Sequence, residues 1–295
     1  METSIIQKTN ECCAHTFNGG IILLTDNKYS NTCETIEHSK IINVYRNSPE
    51  VGGLCRLSMK EITLDGQVTT NATDLFDGMS TREDPRLFVF DNKLHVSYSK
   101  VEYNKNKIES VKMYYSPVKN PDEICIQYGG NNESKWEKNW VFFEHNLDLY
   151  FIYSVCPEFT IVRCRDLKEF KQQWRYPYRR LKTFYETYVR PETPICLLRG
   201  GTPPVLLNNL YYCFLHTHEK PGVLYRIVVL VFDTNFKLHS YTAPISFAHY
   251  KIIFPSGAVF INKEKLWVIS CGVDDKDQVL FKITHEELEK KLIFL

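Results

Sequence analysis

Four short segments of the chain carry side chains that could do chemistry, and each stands directly before an apolar run. Glu83-Asp84-Pro85-Arg86 precedes LFVF, and Glu137-Lys138-Asn139-Trp140 precedes VFF. Arg199-Gly200-Gly201-Thr202 precedes PPVLL, and IFPSG at 253–257 precedes AVFI. A carboxylate beside a ligand can give or take a proton, and an arginine can grip a phosphate through two parallel bonds. The plain alternative is a charged turn in front of a strand. Other candidates are weaker. His216 and His218 have the i, i+2 spacing of a metal clamp, but the sequence offers no third ligand, so no metal and no other cofactor is expected. Gly200-Gly201 lacks the strand-then-helix setting of a dinucleotide loop and suits a close approach of backbone to ligand. Asp274 and Asp275 follow the last apolar run, where a contact to a ligand hydroxyl and a solvated loop are both open readings.

The elements that must hold these groups are strands. Short alternating runs broken by Asn, Asp, Gly and Pro dominate, and only THEELEKKL at 284–292 reads as a helix, with Thr284 and Glu287 spaced as a capping box. The strands recur as hairpins. RLFVFDNKLHVSYS, WVFFEHNLDLYFIYS, PVLLNNLYYCFLHT and AVFINKEKLWVISCG each join an apolar strand through a polar turn to an aliphatic–aromatic strand. Leu94, Leu149, Leu210 and Leu266 mark equivalent points, 55, 61 and 56 residues apart. Even periods of this size signal a repeat architecture. Since 5 × 59 = 295, five units fill the 295 residues. The expectation is an all-β chain, residues 1–295 forming a single five-bladed β-propeller domain with a short C-terminal helix. Radial repetition shelters the sheet edges that so many strands would expose. The fifth unit falls in the N-terminal part, around GGIILLTDN and KIINVYRN. In a propeller, equivalent ends of the inner strands ring one mouth of the central channel, so divergent polar residues at that shared position would face a common pocket.

Composition narrows the function. A net charge of +1 argues against a dedicated nucleic-acid binder, and no apolar run is long enough to suggest a membrane span. The first twenty residues lack the basic-then-apolar order of a signal peptide. Of the ten cysteines, Cys125, Cys156, Cys213 and Cys271 lie in apolar runs and none forms a C-x-x-C pair, which suits reduced thiols in a cytoplasmic protein. The sequons at Asn71 and Asn132 are then unused. WRYPYRRLKTFYETYVRPE at 174–192 mixes arginines with aromatics; it suits a loop over the channel mouth or an ordinary inter-blade connection.

From about residue 80 to the C-terminus, EDPR, EKNWVFF with LYFIYSVCPEF, RGGTPPVLLNNLYYCFLHTH and FPSGAVF…LWVISCGVDD together resemble the family-130 glycoside hydrolases and phosphorylases and the related β-mannosyltransferases. The resemblance implies a five-bladed propeller, a sugar held at the channel mouth, and Asp84 as proton donor. It implies inverting transfer of a glycosyl group, most simply mannosyl, between a glycan or other acceptor and phosphate or a sugar nucleotide. Such a reaction needs a group that manages the proton on the leaving oxygen and a nucleophile on the opposite face. If that nucleophile is phosphate, cations replace a second carboxylate, and Arg86, Lys138, Arg199 and His216 stand near the expected mouth. Trp140, Tyr153 and Tyr98 would offer stacking faces. The expected substrate-binding set is therefore Glu83, Arg86, Lys138, Asn139, Trp140, Tyr153, Arg199, Gly201, Thr202, His216 and Asp274, with pairing to a nearby arginine the other reading of Glu83. The alternative class is a propeller that binds glycans or proteins without turnover. Hydrolase, phosphorylase and transferase remain open at this point.

Overall fold

A computed structural model describes residues 2–5, 15–37, 39–49, 54–105, 107–128, 136–155, 158–165, 169–176, 197–218, 224–246 and 249–295. The described residues form five antiparallel sheets and one short helix, arranged as a five-bladed β-propeller. In the second to fifth blades the inner strand is the one that the sequence pattern placed behind a polar segment, and the first blade adds a strand for which no such segment was marked. These are His15–Thr25, Arg82–Phe90, Val141–His145, Val205–Leu207 (with Leu197–Arg199 on the same partner) and Ile253–Ile261. Each pairs with the second strand of its hairpin, and the four reference leucines sit at or next to the first residue of that strand.

Period-two alternation explains how the blades adhere. Successive residues face opposite sides of a blade, so one strand feeds two interfaces. Tyr212 and Phe214 pack toward the fifth blade, while Tyr211 and Cys213 pack toward the third. Ile21 and Leu23 face the fifth blade, and Ile22 faces the second. Five apolar clusters result, one in each gap between neighbouring blades.

The poorly matching N-terminal unit is the first blade, its inner strand pairing with Ser39–Ser48. An insertion between those strands obscures the period. It carries Thr32–Cys33, which runs parallel to Ile253–Ile261 of the fifth blade. The chain's start closes the ring, because Glu2–Ile5 pairs with Asp277–Thr284 as the outer strand of the fifth blade. The helix is shorter than the pattern suggested. It spans His285–Glu289 with the Thr284–Glu287 capping box formed, and Leu292–Phe294 then becomes an outer strand of the fourth blade. No helix among the described residues is long and apolar enough to cross a membrane. Six cysteines lie among the described residues, all free, five of them buried.

Candidate active site

Where the inner strands begin, three of them carry a residue in the left-handed backbone region: Asn18 (φ 50°), Asp84 (φ 55°) and Asn139 (φ 63°). Asn and Asp tolerate this conformation better than other residues with a Cβ. In the first two blades the kink coincides with a break in strand register, between Phe17 and Gly20 and between Glu83 and Arg86. Such a bulge re-aims a side chain. The chain therefore spends its polar residues at one repeated irregularity, and a cavity of about 250 Å³ opens there.

Its wall is drawn from all five blades. The first contributes Phe17, Asn18 and Arg46, the second Glu83 and Asp84, and the third Lys138 and Asn139. The fourth contributes Arg199, His216 and Tyr225, and the fifth Phe254 and Asp275. Asn18 donates through Nδ2 to Asp84 Oδ1 at 2.7 Å. Glu83 is flanked by Arg46 Nη2 at 3.2 Å and Lys138 Nζ at 3.6 Å. Burial opposes the Arg46 charge, yet neighbouring anions, Glu83 foremost, hold its guanidinium above its ordinary value. Burial and then the Asp84 charge push the Asp275 carboxyl up. Burial, followed by the Arg86 and Arg199 charges, holds His216 well below its ordinary value, so the imidazole is neutral. The Arg199 backbone pairs with His216 in the sheet, and its guanidinium makes no hydrogen bond or ion pair among the described residues. Two buried polar atoms of this wall, Asn18 Oδ1 and His216 Nδ1, also lack a hydrogen-bond partner among the described residues. Buried polar atoms are rarely left so.

A second cavity of about 430 Å³ lies between the third and fourth blades and shares Lys138, Asn139 and Arg199 with the first. Trp140 and Tyr153 line this one, not the axial cavity. Trp140 is buried and stacked on Phe151 at 4.9 Å, so its face is used by the core. Tyr153 donates to Glu137, and burial reinforced by that carboxylate pushes its phenol up to about 12.

The remaining expected residues stand elsewhere. Arg86 is beneath the axial cavity, 1% exposed. It donates from Nε to Gly201 O (2.6 Å), from Nη1 to Asp84 O (2.8 Å) and from Nη2 to Asn139 Oδ1 (3.2 Å). Gly201 and Thr202 are buried in the connection between the strands Leu197–Arg199 and Val205–Leu207. A Cβ on Gly201 would come within 1.9 Å of Phe214 O, and Thr202 exchanges hydrogen bonds with the Phe214 backbone. Asp274 spends its carboxylate on Lys251 N and Ile252 N, both at 3.0 Å, and its neighbour Asp275 reaches the cavity. Tyr98 is buried and donates to Glu123, so it offers no stacking face. His216 and His218 gain no third metal donor: no cluster of three suitable side chains exists among the described residues. Most of the 174–192 segment lies outside the described residues.

Sequence reasoning missed Phe17, Asn18, Arg46 and Tyr225; it marked the IFPSG segment without singling out Phe254, and weighed Asp275 together with Asp274 without choosing it. The signal for Asn18 was present, since FNGG heads the first blade strand as EDPR heads the second. Arg46 sits mid-strand, and only the register that pairs it with Phe17 brings it to the mouth.

The fold and site define a five-bladed propeller with a polar cavity on its axis. Solved structures of the same shape include family-130 mannoside phosphorylases and mannosyltransferases. A β-1,2-mannobiose phosphorylase from Listeria innocua, in complex with β-1,2-mannobiose, aligns over 97% of this chain and 94% of its own, with TM-score 0.65 and 13% identity. A GDP-Man-dependent mannosyltransferase from Leishmania mexicana aligns over 100% and 92%, with TM-score 0.64 and 15% identity. A GH43_1 enzyme from Xanthomonas citri matches more loosely, over 99% and 94%, at TM-score 0.57 and 7% identity. At these identities the likeness is one of fold. No protein-family model matches the chain, and no curated protein does.

Proposed function

We propose that the protein is a carbohydrate-active enzyme that transfers a glycosyl unit, mannosyl in the first instance, at the axial cavity with inversion. The observation that carries this reading is the cavity wall itself. It sets Asp84, held by Asn18, in one small space with Arg199, a cation whose side chain has no hydrogen-bond or ion-pair partner among the described residues. In the phosphorolytic direction a phosphate oxygen attacks the anomeric carbon from the face opposite the leaving oxygen. The bond to that oxygen breaks, Asp84 gives it a proton, and a glycosyl phosphate and a free hydroxyl result. In the reverse direction Asp84 takes the proton from the attacking hydroxyl. Lys138 and Arg199 would hold the anionic group, and a neutral His216 would serve as a hydrogen-bond partner without charge. Arg86 fits a supporting role, because its bonds fix the backbone of Asp84 and the side chain of Asn139 together.

The likeness to mannoside phosphorylases and a mannosyltransferase supports the sugar chemistry through fold. The test is to offer purified protein β-mannosides with and without phosphate, then GDP-mannose and mannose 1-phosphate with mannose acceptors. Turnover of any of these by the wild type, lost in Asp84→Asn, is expected. Sugar binding by the wild type without turnover of any of them would replace the enzyme by a glycan-binding propeller.

A further inference from the structure

The second blade reaches past the start of its own inner strand, on the side where the axial cavity opens. Its second and third strands, Lys93–Asn104 and Lys107–Pro117, hold 12 and 11 residues, more than the equivalent pair of any other blade. Lys100 already pairs with Arg82, the first residue of the inner strand, so residues 101–104 extend about 13 Å beyond it. At the tip Tyr103 and Ile108 form a cross-strand pair, which sets both side chains on one face. Two other stretches are tied to the hairpin below that tip. Val101 N donates to Thr81 O at 3.2 Å, and Ser80 pairs with Cys55, which brings in Met79 and Leu54. Leu54, Met79, Tyr103 and Ile108 are 53, 41, 52 and 46% exposed, and they are four of the nine large apolar side chains exposed among the described residues. Single exposed apolar residues are ordinary, whereas four gathered along one rim mark an interaction surface.

Charge decides what covers it. Lys105, Lys107, Asp77 and Glu109 stand exposed along the same rim, and their side chains make no ion pair or hydrogen bond among the described residues. Two cations and two anions cancel, so a polyanion or an anionic lipid surface meets as much repulsion as attraction. Leu54, Met79 and Ile108 are aliphatic and offer a sugar ring no planar face. A second copy of the chain fits, because Lys107-Ile108-Glu109 is its own complement. Two such segments laid antiparallel about Ile108 set each Lys107 against the partner's Glu109. The register break between Ile108 and Ser110 blunts the hairpin's edge, so side chains make this contact and not a shared sheet. We propose that this rim of the second blade is a two-fold interface between copies of the chain, centred on Ile108 and flanked by Tyr103, Met79 and Leu54. It stands independently of the reaction assigned to the axial cavity.

The experiment is sedimentation velocity from about 1 to about 200 μM protein, on the wild type, Ile108→Ser, Lys107→Glu and Glu109→Lys, with melting temperatures to check that each variant is folded. The wild type is expected to dimerise within that range. Each variant should weaken the dimer at least about tenfold, since every change counts twice across a two-fold axis. Mixing Lys107→Glu with Glu109→Lys should restore association between the two, because opposite charges then face each other again. A wild type that stays monomeric at the highest concentration overturns the proposal. So does a dimer indifferent to all three variants, or a charge pair that the mixture fails to rescue. Vesicles of phosphatidylcholine with and without phosphatidylserine probe the lipid alternative. Wild-type binding to them that is lost in Ile108→Ser and strengthened by Glu109→Lys assigns the rim to a membrane surface and overturns the dimer as well.

Discussion

Replacing Arg86 separates two roles for a buried cation. Its guanidinium is 1% exposed and donates to acceptors from the second, third and fourth blades. Burial pulls its pKa down, but guanidinium remains charged in proteins. Arg86→Met keeps most of the volume and removes all three donors. Hydrogen bonds to a charged donor contribute about 1.5–3 kcal/mol each, and stranded buried acceptors add their own cost. Partial relaxation and water entry lower the sum, so the expected loss is about 3–5 kcal/mol, the range for breaking a buried charged contact. At roughly 2 °C per kcal/mol for a chain of this size, the melting temperature should fall by about 6–10 °C. Arg86→Lys restores charge but not the fork, and should recover less than half. The second measurement is affinity for inorganic phosphate at about 50 and about 500 mM salt. A group that acts from beneath, by placing Asp84 and Asn139, loses affinity by the same factor at both, because buried interactions escape screening. A mutant with native melting temperature, whose phosphate affinity defect shrinks as salt rises, would refute this and make Arg86 a direct ligand contact.

Asp84→Asn should lower turnover about 10²–10⁴-fold with little change in melting temperature, since asparagine tolerates the φ of 55° and still accepts from Asn18; an active, destabilised mutant would return Asp84 to the status of a turn residue. Asp274→Ala should cost about 0.5–2 kcal/mol, as for a lost cap, and spare sugar affinity. Asp275→Asn should do the reverse, weakening sugar binding while raising the melting temperature at neutral pH. Its folded pKa lies above the ordinary 3.8, so ionising it opposes folding above that pH, and the gain should vanish as the pH falls below 3.8. His216 has a folded pKa well below 6.5, so the unfolded chain binds the extra proton and stability should drop as pH falls through 6.5. His95, His145 and His285 are lowered by burial as well, so the check is that His216→Gln reduces, without abolishing, the slope of stability against pH between about 5 and 7.

How much of this was legible in the sequence follows from which interactions are local. Strand alternation and the leucine spacing are properties of neighbouring residues, and they gave the blade hairpins. The closing strand Glu2–Ile5 was invisible, because its partner lies some 280 residues away at Val279–Lys282 and nothing in ETSI names it. The same limit governs the site. Glu83, Asp84, Lys138, Asn139 and Arg199 reach one cavity because each lies in or beside the inner-strand segment that the repeat marks, and His216 joins them from the second strand as the cross-strand partner of Arg199. Arg46 and Tyr225 lie on other stretches and enter through register alone. Asp274 and Asp275 show the finest limit. Both follow the same strand, both adopt positive φ (50° and 53°), and one residue of offset decides which carboxylate caps a turn and which lines the cavity. Arg86 shows that an arginine in a motif can be there for its reach as well as its charge. Three acceptors on three blades need a planar fork with donors on more than one side, and a lysine at that position could not serve them all. The opening motif therefore joins two demands in four residues. Asp84 faces the cavity because the bulge turns it there, and Arg86, two residues on, ties that bulge to the neighbouring blades.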